Sequence, residues 1–253
     1  MRINLEGIDT YYEDHGKGKP VVLLHGLALD STIWNDVVSR YSIQARFITP
    51  DLRGHGRTET GQGKGTLEQF ADDLFALVSY LGLKSLTLVG HSMGGYIALA
   101  FANKYPEKLD DLIMVTSNAR PDPPEKQESR LKDAELALSN GMAAIAAGMA
   151  QNLTKSDEIR QRVTPILEKT PPEGFANAQR AIASRSSRFE LIHSLEIPFL
   201  AIAGSEDQLM RTDSAYDMAG CAQQGRAVVL PGVGHLPMLE APLALGALIV
   251  SRL

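Results

Sequence analysis

Residues 86–96, LTLVGHSMGGY, pass from four strand-forming residues into a turn whose only hydroxyl nucleophile is Ser92. The turn sits between glycines. Gly90 stands two residues before the serine and Gly94 two residues after it. That spacing lets a following helix pack close to the strand while the residue between takes a strained backbone conformation. Such a turn lifts the serine oxygen out of the sheet to a helix N-terminus, where partial positive charge favours an anion. By composition alone about 0.1 matches to G-x-S-x-G arise by chance in a chain this long. The meaning of the serine therefore depends on its partners.

On both sides of this stretch the hydrophobic period switches between strand and helix. Alternation over residues 2–4 and 10–13, broken at Glu6-Gly7, reads as an edge β-hairpin. The apolar run Val21-Val22-Leu23-Leu24 reads as a strand buried on both faces, and another strand follows Ala45. Residues 66–82 place Leu67, Phe70, Leu74, Leu77, Val78 and Leu81 at helical spacing, with Thr66 and Gln69 resembling a capping box and Gly82 as a stop. A helix is expected over 96–105, and strands over 112–115, 199–203 and 227–230. Strand and helix in alternation imply right-handed crossovers and a mostly parallel sheet. The rhythm breaks over residues 118–190, which carry helical patches at 128–137, 142–152 and 175–183 between proline-rich segments.

Composition excludes several classes. A 253-residue chain that is 44% hydrophobic can bury one large core. Its net charge of −5, with no long basic run, offers no footprint for nucleic acid or an anionic membrane. The longest run of small apolar residues, 141–150, is about half the length of a membrane-spanning helix. Cys221 is the single cysteine, so neither an internal disulfide nor a cysteine metal cluster is possible. The N-terminus lacks the apolar centre of a signal peptide, and a cytoplasmic location is expected.

A serine alcohol is a weak nucleophile near neutral pH and needs a histidine base oriented by an acid. The chain offers both at predicted strand ends. Strand 199–203 runs into Gly204-Ser205-Glu206-Asp207, and strand 227–230 into Pro231-Gly232-Val233-Gly234-His235. In an open α/β sheet, ligands bind beyond the carboxyl ends of the strands, where all three residues are expected.

With these residues the chain resembles the α/β-hydrolase superfamily over essentially its whole length. The resemblance is carried by LLHGLAL (23–29), DLRGHGRT (51–58), VGHSMGGY (89–96), AGSEDQL (203–209) and GVGHLPMLEAP (232–242). It implies a mostly parallel eight-stranded sheet flanked by helices, with core segments 1–117 and 191–253 around a helical cap, 118–190. It further implies Ser92 as nucleophile, His235 as general acid and base, and Asp207 as orienting acid. The backbone amides of Leu27 and Met93 are implied as the oxyanion hole, and no metal or organic cofactor is expected. His25, Gly26, Trp34 and Met142 are the expected substrate contacts.

Several residues compete for these roles. Glu206 is the alternative acid, His25 and His91 flank the site, and His55 is expected to tie down a loop. A serine at the turn disfavours epoxide hydrolases and dehalogenases, which use aspartate there. The cap and residues 173–198 most resemble small esterases and the 3-oxoadipate enol-lactonase group. An enol-lactone carries a carboxylate, for which Arg185 or Arg188 is the candidate cation, with surface exposure the competing reading. The expected substrate is a small ester or lactone, and a receptor that signals through its cap is the alternative of another class.

Overall fold

The computed structural model describes residues 1–63 and 65–253. Its eight strands are β1 (Arg2–Leu5), β2 (Ile8–His15), β3 (Pro20–Leu24), β4 (Arg46–Pro50), β5 (Leu86–His91), β6 (Leu109–Val115), β7 (Phe199–Gly204) and β8 (Gly225–Leu230). They form one sheet in the order β1-β2-β4-β3-β5-β6-β7-β8. The expected edge hairpin is β1 and β2, and β2 pairs antiparallel with β4. From β4 onward every pairing is parallel. All six residues of β5 and of β7 are buried, as strands covered on both faces should be.

Helices cover both faces. On one side α1 (Asn35–Tyr41) packs Val37 and Val38 with Phe47, Leu245 and Ile249. On the other, α2 (Leu67–Tyr80) and α3 (Met93–Lys104) bury Phe70, Leu74, Leu77, Leu99 and Phe101 against Leu86 and Leu88. The Thr66 side chain caps α2 by accepting from Gln69 N at 3.1 Å. The Gln69 side chain also donates its amide to the Gln62 carbonyl, and no reciprocal bond from Thr66 N to Gln69 is present among the described residues. Helix α3 begins three residues earlier than the sequence suggests. Gly94 and Gly95 do not delay it, since tight packing holds them helical.

Between β6 and β7 lie five helices: α4 (Pro124–Asn140), α5 (Ala143–Leu153), α6 (Asp157–Lys169), α7 (Pro172–Ala183) and α8 (Phe189–Ser194). After them come α9 (Asp213–Cys221), α10 (Pro237–Glu240) and α11 (Pro242–Val250). Among the described residues no helix is long and apolar enough to cross a membrane.

Candidate active site

Ser92 lies between the last residue of β5 and the first of α3, at φ 52° and ψ −115°. A non-glycine residue rarely holds such a backbone, and here the surroundings enforce it. Ser92 N donates to Val115 O at 3.0 Å, while Ser92 O accepts from Gly95 N at 2.9 Å and from Ser117 Oγ at 2.8 Å. The flanking glycines are required by contact. A Cβ on Gly94 would lie 2.7 Å from Leu24 O and 2.8 Å from His25 O, and one on Gly90 would collide with the Gly94 carbonyl. Only at this separation does α3 begin directly over the strand ends.

Asp207 and His235 come from the loops after β7 and β8. His235 Nδ1 donates to Asp207 Oδ2 at 2.8 Å, and both side chains are closed from solvent. The other carboxylate oxygen, Oδ1, accepts from Leu209 N at 2.8 Å and Met210 N at 3.0 Å. Asp207 is thus fixed on both oxygens, and it fixes the histidine in turn. With Nδ1 engaged, Nε2 is the ring nitrogen left for a reacting group. The backbone of His235 is equally constrained: its carbonyl accepts from His91 Nε2 at 2.9 Å and Thr116 Oγ1 at 3.1 Å. Glu240 binds the amides on either side of it, Gly234 N and Leu236 N.

Glu206 occupies a different environment. It is exposed and paired with Lys155, whose ammonium holds the carboxyl below the usual carboxylate range. Of the two adjacent acids, the carboxylate at the histidine is Asp207.

Gly26 packs so tightly on the serine turn that a Cβ would lie 2.8 Å from His91 Nδ1 and 3.3 Å from Ser92 Cβ. Leu27, the next residue, and Met93 both line the same cavity as Ser92 and His235. Met93 N belongs to the first residue of α3, where an amide has no intrahelical acceptor. The loop is braced from below. His25 Nδ1 donates to Gly26 O at 2.8 Å, and its Nε2 accepts from Leu52 N at 2.9 Å. Burial pushes the His25 pKa down, in keeping with a neutral ring that donates at one nitrogen and accepts at the other. Asp51 accepts from Ser31 N and from Arg57; burial alone would raise its pKa, but the hydrogen bonds from Arg57 and Ser31 together with the nearby His25 hold it low. His55 is also buried, with its pKa pushed down to about 3 by desolvation, and Nδ1 donates to Arg53 O at 2.9 Å. It ties its own loop.

The cavity has a volume of about 440 Å³, within the range of small-molecule sites. Its apolar wall includes Leu29, Ile145, Met149, Leu153, Phe175 and Met210. The expected contacts at His25, Gly26, Trp34 and Met142 are corrected by this geometry, since none of them lines it. His25 and Gly26 support the loop from inside, and Trp34 is fully buried in the core beside α1. Met142 is buried at the start of α5, whose Ile145 and Met149 reach the cavity instead. Both candidate cations are placed elsewhere too. Arg188 pairs with Glu68, and Arg185 donates to Asp122, Arg120 O and Ile182 O. The cations that line the cavity are Lys126 and Arg130, which sequence reasoning missed. At helical spacing with Asp133 they look like an ordinary solvated face of α4.

The chain belongs to the alpha/beta hydrolase fold family, whose model matches residues 19–242. A thermophilic esterase from Thermogutta terrifontis, solved with malate bound, is 35% identical and superposes with a TM-score of 0.94 over 99% of this chain and 96% of its own. Two relatives come from Acinetobacter baylyi. A 3-oxoadipate enol-lactonase is 28% identical over 88% of this chain and 84% of its own length. An (E)-2-((N-methylformamido)methylene)succinate hydrolase is 26% identical over 92% and 89%. The chain is therefore a member of a hydrolase family related to esterases and enol-lactonases.

Proposed function

We propose that the protein is a serine hydrolase that cleaves small carboxylic esters or lactones through an acyl-enzyme. Its main support is that Ser92 and the Asp207-held His235 line one largely apolar cavity. In this mechanism His235 Nε2 takes the Ser92 proton as Oγ attacks the carbonyl carbon. The amides of Leu27 and Met93 donate to the oxygen as it becomes negative. The protonated His235 then gives its proton to the leaving alkoxide, and the acyl group stays on Ser92. Water repeats the sequence and frees the acid. A lactone follows the same course, its alcohol remaining on the acyl chain. The esterase and enol-lactonase relatives favour this reading over a ligand receptor.

A panel of p-nitrophenyl esters of graded chain length, run beside simple lactones, tests it. Continuous turnover of at least one member without any protein partner is expected. Saturable binding of the panel with no turnover beyond one equivalent would contradict the hydrolase and favour a receptor.

The oxyanion assignment has its own test. Leu27→Ala keeps the amide and should leave kcat within a few-fold, with packing changes appearing in KM. Leu27→Pro removes the donor and should cost about 10² to 10³ in kcat, because the amide acts where charge develops in the transition state. A folded Leu27→Pro protein, checked by its melting curve, with near-native kcat would move the second donor to another residue.

A further inference from the structure

The cap side of the cavity contains a built polar group that ester cleavage does not use. Arg130 on α4 and Gln179 on α7 both line the cavity, and Arg130 Nη1 donates to Gln179 Oε1 at 2.9 Å. Because arginine can only donate, the Gln179 carboxamide must turn its oxygen toward Arg130 and leave its NH2 group free. Arg130 Nε donates to Asp122, which also accepts from Arg185 Nη2 at 2.7 Å. Two guanidiniums thus share one carboxylate, all three nearly closed from solvent. Arg185 is committed to Asp122 and two backbone carbonyls. Arg130 makes two of the five hydrogen bonds its guanidinium can donate.

The remaining charges do not cancel the surplus. Lys126 and Asp133 also line the cavity and together add no net charge to it, while the Asp207 carboxylate is held by His235 and two amides. Tyr96 lines the cavity as well, with the Arg185 guanidinium 4.2 Å from its ring centroid. Its hydroxyl is buried and has no partner among the described residues. A partly buried cation with spare donors is stabilised by an anion that reaches it.

We propose that Arg130 and Gln179 form a carboxylate-binding subsite, so that the preferred substrate is an ester or lactone bearing a free carboxylate on the part of the molecule directed at the cap. This assignment rests on the ester-hydrolase reading for its placement relative to Ser92. The carboxylate accepts from the spare N–H groups of Arg130 and from the Gln179 amide. The apolar wall holds the chain that joins it to the scissile carbonyl.

The test uses pairs of methyl esters that differ only at the far end: monomethyl succinate, glutarate, adipate and pimelate against the corresponding terminal carboxamides. At the best chain length kcat/KM should favour the carboxylate by about 10- to 100-fold, the range for a charge-assisted hydrogen-bonded pair. Arg130→Gln should collapse that ratio toward one, Arg130→Lys should keep part of it, and Gln179→Met should reduce it. A merely structural Arg130 would lower both members of a pair alike and leave the ratio unchanged, which would overturn the proposal. So would a wild-type protein that favours no carboxylate at any length. Calorimetric binding of the same pairs to Ser92→Ala separates this proposal from the reading beneath it. Preferential carboxylate binding that Arg130→Gln abolishes supports the subsite even if Ser92 proves not to be the nucleophile. Equal binding of both members overturns it even if ester hydrolysis is confirmed.

Discussion

Ser92→Ala should lower kcat for the best ester of the panel by about 10⁶, the loss seen when a serine nucleophile that acts as a unit with its histidine is removed. The backbone predicts that no neighbour takes over. Ser92 is held at φ 52° over the strand ends, and the nearby hydroxyls of Ser117 and Thr116 donate to the Ser92 and His235 carbonyls. Alanine accepts the same turn at little further cost, because the strain lies in the backbone and the glycines around it are retained. The variant should therefore fold, bind substrate and fail to acylate. Retention of more than about a thousandth of wild-type kcat would exceed what residual binding and oxyanion donors provide, and would point to another nucleophile.

Asp207→Asn should lower kcat by about 10⁴ with KM little changed. The direction follows from the hydrogen bonds at the carboxylate. Leu209 N and Met210 N both donate to Oδ1, so the asparagine must place its carbonyl oxygen there. Its NH2 group then faces His235 Nδ1, which becomes an acceptor. The histidine proton moves to Nε2, the nitrogen that must be bare to take the serine proton. Glu206→Gln loses only an exposed pairing with Lys155, a contact worth little, and should leave kcat near wild type. The reverse ranking would assign the orienting role to Glu206.

The parts of this molecule that were legible from sequence are those in which local chemistry and global packing agree. The serine turn announces itself because Gly90 and Gly94 have no tolerable substitute at their packing distance. Strands β3 and β7 are readable because burial on both faces demands continuous apolar runs. Asp207 and His235 follow strand ends, and a parallel sheet gathers all such ends on one edge. The cavity wall was less legible because it depends on which turn of a helix faces inward. Met142 and Met149 are indistinguishable by type, yet only Met149 lines the cavity. Trp34 is large and close in sequence to the Leu27 loop, and it serves the core. Helix α6 carries Ile159, Val163 and Leu167 at helical spacing on its buried face, but Pro165 within it weakens the local signal. Arg130 is the clearest case. Its partners Asp122 and Gln179 lie 8 and 49 residues away, and no pattern within α4 tells a guanidinium turned inward from one turned to solvent.

The most direct measurement of the central claim is covalent labelling followed by peptide mass mapping. A fluorophosphonate reports an activated serine by forming a stable phosphonate ester, with fluoride as leaving group and the hydroxyl proton taken by the base. The native protein should gain a single phosphonyl group, on the peptide that contains Ser92, and Ser92→Ala should gain none. Labelling that persists in Ser92→Ala, or that maps to a different residue of the native protein, would contradict the assignment of Ser92 as the nucleophile.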